Sequence, residues 1–242
     1  MSQGVSDGVR KLKLKDIAPN CEIAINEQIF TLEELGRNKV FADIGCGYGA
    51  TRKLVESVGG KWIGVEPFEG GAHTIVGDAM AMPFVNESID VVYMNAVLEH
   101  VPDPSLAFKE ASRVLKKGGV FAGYVAFMEC FHEISYCHLS FKSLEYFSEV
   151  NGMHLVKISG GHRFGLDYHS RILFYPLNVP FIRVIKASII RGVFYIKSRF
   201  ALLGIMLLRK KSFKEAKAQA SLYYKVECLR QSVGFYFYIV KN

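Results

Sequence analysis

The chain has 242 residues, 50% apolar and 22% charged, which is ample apolar material for one large domain or one domain with a substantial insertion. Its net charge of +7 is uneven: residues 168–214 contain ten Lys and Arg and no Asp or Glu, which leaves −3 for the remainder. That distribution excludes a chain-wide nucleic-acid surface and confines the basic character to one segment.

Residues 1–16 are polar and basic with no apolar stretch of signal-peptide type, and the five cysteines are scattered without a C-x-x-C pair. A cytoplasmic protein with reduced thiols is expected. Val40–Ile44 reads as a buried strand, and the turn after it carries Gly45, Gly47 and Gly49. Leu54, Val55 and Val58 then recur at helical spacing over residues 50–58. Glycines at alternate positions let backbone amides approach a ligand, and the following helix start offers free N–H groups, so a nucleotide cofactor site is expected here.

Strands are predicted at Lys61–Glu66, at 73–79 with Asp78 near its end, at 89–94, 120–127, 155–158 and 234–240. Helices are predicted at 104–115, stopped by Gly118 and Gly119, and at 140–151 with Ser140 as its cap. Alternating strands and helices imply an α/β doubly wound, mostly parallel sheet with ligands at the carboxyl ends of its strands.

Five blocks in this order resemble the class I S-adenosylmethionine-dependent methyltransferases, the type 11 group in particular. They are Asp43-x-Gly45-x-Gly47-x-Gly49; Glu66; Gly77-Asp78-Ala79 with Pro83-Phe84; Ser88 to Val92 with Leu98-Glu99-His100; and Arg113 to Gly119. The resemblance covers roughly residues 38–160 plus the last strand. It implies a seven-stranded Rossmann-like methyltransferase fold with a reversed last strand; the helical insertion before that strand departs from the short link usual in the family. It implies S-adenosylmethionine as cofactor, with Gly45, Gly47 and Gly49 passing its methionine and ribose portions. Asp43 would anchor the ammonium group, directly or through water, and Glu66 would hold both ribose hydroxyls. Asp78 would accept from the adenine amino group beside the Ala79 amide, and Asn95 to Leu98 would lie under the sulfonium.

Gly45-x-Gly47-x-x-Ala50 also satisfies a looser dinucleotide fingerprint, so an NAD(P)-binding oxidoreductase is the rival enzyme. The Gly-Asp-Ala block has no role in that chemistry, and no Tyr-x-x-x-Lys pair occurs. A methyltransferase-fold scaffold without catalysis is the non-enzymatic alternative, set against cofactor blocks that are intact.

The acceptor is expected to be a small molecule, most readily a hydroxyl on a lipophilic, lipid-linked or sugar compound. A base for that proton is sought among His100, His132 and His138, with His138 and His100 preferred. Cys130, His132, Cys137 and His138 fit no common zinc spacing, so no metal is expected.

Residues 1–37 are expected to form an N-terminal helical or cap segment, and 38–165 plus 231–242 the cofactor-binding domain. Residues 166–230 form a basic, apolar helical insertion. Its uncharged runs, 172–182 and 200–208, are too short to span a bilayer. On a helix over 181–208, Arg183, Lys186, Arg191 and Lys197 fall within an arc of roughly 140°, leaving a wide apolar face. A lid over the crevice, an anionic membrane surface met through residues 170–214, and a homodimer interface are the three readings of that face.

Overall fold

The computed structural model describes residues 18–25, 27–128, 134–160, 180–230 and 232–242. The elements are β1 (Glu22–Ala24), α1 (Leu32–Gly36), β2 (Val40–Ile44), α2 (Arg52–Ser57), β3 (Lys61–Glu66), β4 (Ile75–Val76) and β5 (Ile89–Asn95), followed by a 3-10 turn (Leu98–His100). Then come α3 (Pro104–Val114), β6 (Leu115–Ala126), α4 (Phe141–Val150), β7 (Met153–Ser159), α5 (Pro180–Arg209), α6 (Phe213–Arg230) and β8 (Gly234–Lys241).

The strands form one sheet in the order β1-β7-β8-β6-β5-β2-β3-β4. All neighbours are parallel except β8, which runs antiparallel to both β6 and β7. The centre is built from apolar runs whose residues Phe41, Ala42, Val91, Val92, Phe121 and Ala122 are buried on both faces, as a sheet covered by helices on two sides requires. From β2 the chain winds outward through β3 and β4, then crosses back to β5 on the other side of β2. That reversal opens a crevice at the carboxyl ends of β2 and β5.

The sheet has eight strands where seven were expected. The eighth is β1, which pairs with β7 through Glu22↔Lys157 to Ala24↔Ser159 and is reinforced by a 3.0 Å ion pair between Lys157 and Glu22. Three residues are too short to display an alternating pattern, so only pairing reveals the strand. Residues 1–17 of the expected N-terminal cap lie outside the described residues.

Helix α3 starts as its sequence dictates. Asp103 accepts from the Ser105 amide at 2.9 Å, Pro104 occupies the first turn, and Ala107, Phe108, Ala111 and Val114 face the core. Its expected glycine stop is corrected: Leu115 already belongs to β6. The pairing jumps from Ile89↔Leu115 to Val91↔Val120, so Gly118, at φ +72°, sits in a bulge within the strand.

The insertion is a pair of long helices. Phe194 of α5 packs with Cys228 of α6 beside Ile25, and Leu202 packs with Ala216 and Ala220. Val226 and Leu229 carry α6 onto the main core. The pair therefore sits at the β1 edge of the sheet, opposite β4. Residues 161–179, which hold the start of the insertion, lie outside the described residues.

Candidate active site

A cavity of about 880 Å³ opens at the carboxyl ends of four strands. Ile44 and Gly45 come from the end of β2, Glu66, Pro67 and Phe68 from the end of β3, and Gly77 to Met80 from the loop after β4. Ala96, Val97, His100, Val101 and Pro102 follow β5, and Ile134 and Tyr136 come from the segment after β6. The volume lies within the range of small-molecule and cofactor sites, roughly 300–1,000 Å³.

Of the three glycines in the turn after β2, Gly45 lines the cavity. Gly45 has φ +71°, and a Cβ placed there would lie 2.4 Å from Cγ2 of Val97, so only glycine fits beneath that valine. Gly47 has φ +52° with open space where its Cβ would be, and its amide donates to Glu66 Oε1. Gly49 faces Ala72 and the Trp62 ring, away from the cavity, and serves the turn's packing.

Glu66 and Asp78, the carboxylates closing β3 and following β4, both line the cavity. Asp78 Oδ1 also accepts from the Met80 amide at 2.7 Å, an Asx turn that fixes the carboxylate. That loop is pinned from below by Arg113. Its guanidinium donates to the Phe84 carbonyl at 2.7 Å and the Met82 carbonyl at 2.9 Å, while Glu110 accepts from the Met82 amide at 2.8 Å.

Asp43 differs. It is 3% exposed and does not line the cavity. Its Oδ2 accepts from the Thr51 hydroxyl and, at 3.3 Å, from the Trp62 indole N–H. Burial pushes its carboxyl up to about 6, nearby Glu66 adds to the rise, and the two hydrogen bonds oppose it. Asp43, expected to anchor the ammonium group directly or through water, is a buried brace behind the turn, held by Thr51 and Trp62. Asn95 ends β5 but is not among the lining residues; the next two positions, Ala96 and Val97, are.

Of the two preferred histidines, His100 lines the cavity and His138 does not. His138 is exposed because the next residue, Leu139, turns into the core and Ser140 caps α4. His100 Nδ1 lies 2.5 Å from the Ile134 carbonyl. A carbonyl only accepts, so Nδ1 is the donor in this bond, which orients the ring. Cys130 and His132 lie outside the described residues.

Ala96 and Val97 fall within the stretch 95–98 expected at the site, whereas Phe68 and Tyr136 were not anticipated. Ala96 adopts φ +55°, an unusual conformation for a residue with a Cβ, held by its amide's 2.9 Å bond to the Tyr124 carbonyl. For Phe68 the local signal is the aromatic two positions past Glu66, in Glu-Pro-Phe; Tyr136 has none.

A family model described as a methyltransferase domain matches residues 42–123. An uncharacterized methyltransferase of Mycobacterium leprae is 30% identical over 115 residues, covering 41% of this chain and 43% of that protein. The sterol 24-C-methyltransferase of Aspergillus fumigatus is 34% identical over 99 residues, covering 34% of this chain and 26% of that protein. The sterol 4-C-methyltransferase of Caenorhabditis elegans is 29% identical over 128 residues, covering 46% and 37%. The chain thus spans less than half the length of these curated relatives. The structure of an S-adenosylmethionine-dependent methyltransferase from Mesorhizobium loti superposes with a TM-score of 0.51 at 12% identity, over 86% of this chain and 93% of that one, a likeness of fold. Over residues 42–123 the chain carries a methyltransferase domain, and its five motif blocks and reversed last strand resemble the class I S-adenosylmethionine-dependent methyltransferases.

Proposed function

We propose that the chain transfers a methyl group from S-adenosylmethionine to a hydroxyl of a lipophilic small molecule. The observation that carries this reading is that Gly45, Glu66, Asp78, Ala79 and His100 all line one cavity.

The donor set fits the cofactor. Glu66 would offer its carboxylate oxygens to two adjacent ribose hydroxyls, and its Oε1 also braces the Gly47 amide. Asp78 is held facing the cavity as an acceptor for an exocyclic amine, with the Ala79 amide beside it. Gly45 lets the chain pass close to the ligand, and Asp43 stiffens the turn from behind through Thr51 and Trp62.

When bound, S-adenosylmethionine supplies a methyl group already activated by a sulfonium. The chain's part is to hold the acceptor oxygen in line with it and keep water out. The acceptor oxygen would take the methyl as the sulfonium's bond to it breaks and the cofactor leaves as an uncharged thioether, and the hydroxyl proton would pass to the His100 ring, which the Ile134 carbonyl orients. Val101, Pro102, Ile134 and Tyr136 give the acceptor side an apolar rim. Two relatives named for methylating sterols are consistent with an apolar acceptor, although their names specify carbon rather than oxygen.

The test is incubation of the chain with methyl-labelled S-adenosylmethionine and lipid extract. Label in the organic phase, lost in His100→Gln, supports the reading. Label in neither the organic nor the aqueous small-molecule fraction overturns it.

A further inference from the structure

Helix α5 presents its apolar stripe outward. Ile189, Val193, Ile196, Phe200, Leu203 and Leu207 are all exposed, Phe200 at 70% and Leu207 at 75%. They recur at alternating intervals of four and three residues, which places them on one face over a length of roughly 27 Å. The opposite face, with Phe194, Ser198 and Leu202, is the one packed toward α6. A folded pair of helices therefore leaves a long apolar strip in water, and such a strip marks a docking surface.

Charge decides what docks there. Lys197 lies on one side of the strip and Arg199 on the other. Lys197 Nζ lies 5.8 Å from the centre of the Phe194 ring, and the Arg199 guanidinium 4.9 Å from that of Tyr195. Arg209, Lys210 and Lys214 cluster exposed at the carboxyl end, and residues 168–214 contain no carboxylate side chain. A second copy laid against the strip would bring basic flanks together with no acidic residue of the segment to compensate them. An anionic lipid surface complements both features: acyl chains for the apolar strip, headgroups for the lysines and arginines that reach past it. No described helix is long and apolar enough to cross a membrane, so α5 lies along the surface.

We infer that α5 is an interfacial anchor that holds the domain on anionic membranes through the Ile189–Leu207 face. Among the described residues, none that lines the cavity belongs to α5 or α6. Membrane docking through α5 is independent of the methyl-transfer reading, which the label-transfer experiment tests separately.

The experiment is vesicle flotation of the full chain with phosphatidylcholine alone and with phosphatidylcholine containing phosphatidylserine. Recovery with the anionic vesicles should exceed that with neutral ones about tenfold and fall as salt is raised. Ile196→Glu combined with Leu203→Glu changes only exposed positions. It should abolish recovery while circular dichroism and cofactor binding are kept. Lys197→Glu with Lys210→Glu should reduce it and leave the strip intact. Equal recovery in the supernatant with both vesicle types overturns the inference. So does a dimer in light scattering that the Ile196→Glu, Leu203→Glu variant dissociates, since the strip then belongs to a second copy.

Discussion

Val97 sits directly over Gly45: a single added carbon on the glycine would come within 2.4 Å of the valine Cγ2. This contact joins the turn after β2 to the loop after β5 and sets the floor of the cavity. Gly45→Ala meets both that clash and an unfavourable φ, and should cost about 2–4 kcal/mol from left-handed strain and overpacking together. Gly47→Ala meets only the unfavourable φ, since nothing lies within 4 Å, and should cost about 1 kcal/mol. Urea denaturation of the two variants checks the order; equal losses would contradict the packing described.

Asp43 carries a pH signature. Its carboxyl is raised from 3.8 to about 6 in the folded protein, chiefly by burial. Between those values the folded state holds a proton the unfolded state has lost, so stability falls as pH rises from about 4 through 6. The full penalty, about 3 kcal/mol as an order of magnitude, is present above the folded value. Asp43→Asn keeps acceptors for Thr51 and Trp62 without the charge. Its stability relative to the parent should therefore grow between pH 4 and pH 7 in denaturation experiments, whereas parallel curves would show that Asp43 is already ionised when folded.

Arg113 holds the loop that bears Asp78, although it touches no cavity atom. Arg113→Met removes its hydrogen bonds to the Phe84 and Met82 carbonyls and its pairing with Glu110, and should cost about 1–3 kcal/mol. Cofactor affinity should drop with it. Thermal unfolding with and without S-adenosylmethionine separates the two effects, and unchanged ligand stabilisation would remove Arg113 from the positioning of Asp78.

His100→Gln should lower the rate of label transfer by about 100-fold or more, with cofactor affinity retained, because a general base acts on the acceptor proton. A rate within about twofold of the parent would assign the proton to another group or to water.

Much of the cavity's lining at the ends of β2, β3 and β4 is legible in the amino-acid sequence because its signals are local. A strand ending in a glycine turn, and carboxylates at successive strand ends, can only converge where a doubly wound sheet reverses. What escapes such a reading depends on partners far along the chain. Asp43 turns from the cavity because Thr51 and Trp62 lie behind it. His138 faces water because Leu139 takes the core position. Gly118 reads as a helix stop, yet it falls in a bulge because β6 pairs with Ile89 from Leu115 onward. Helix α5 is readable as amphipathic, but which side packs is not. The arc containing Arg191 and Lys197 lies on the side of Phe194 and Ser198, and α6 leaves the aliphatic side to the outside.

Glu66 is where the account is most exposed to test. Isothermal titration of S-adenosylmethionine into the parent chain should show one binding site, and into Glu66→Ala an affinity at least about tenfold weaker, the loss of a charged hydrogen-bond acceptor. Equal affinity in the two proteins, or no heat in a folded parent, would contradict the claim that this cavity is the cofactor's seat.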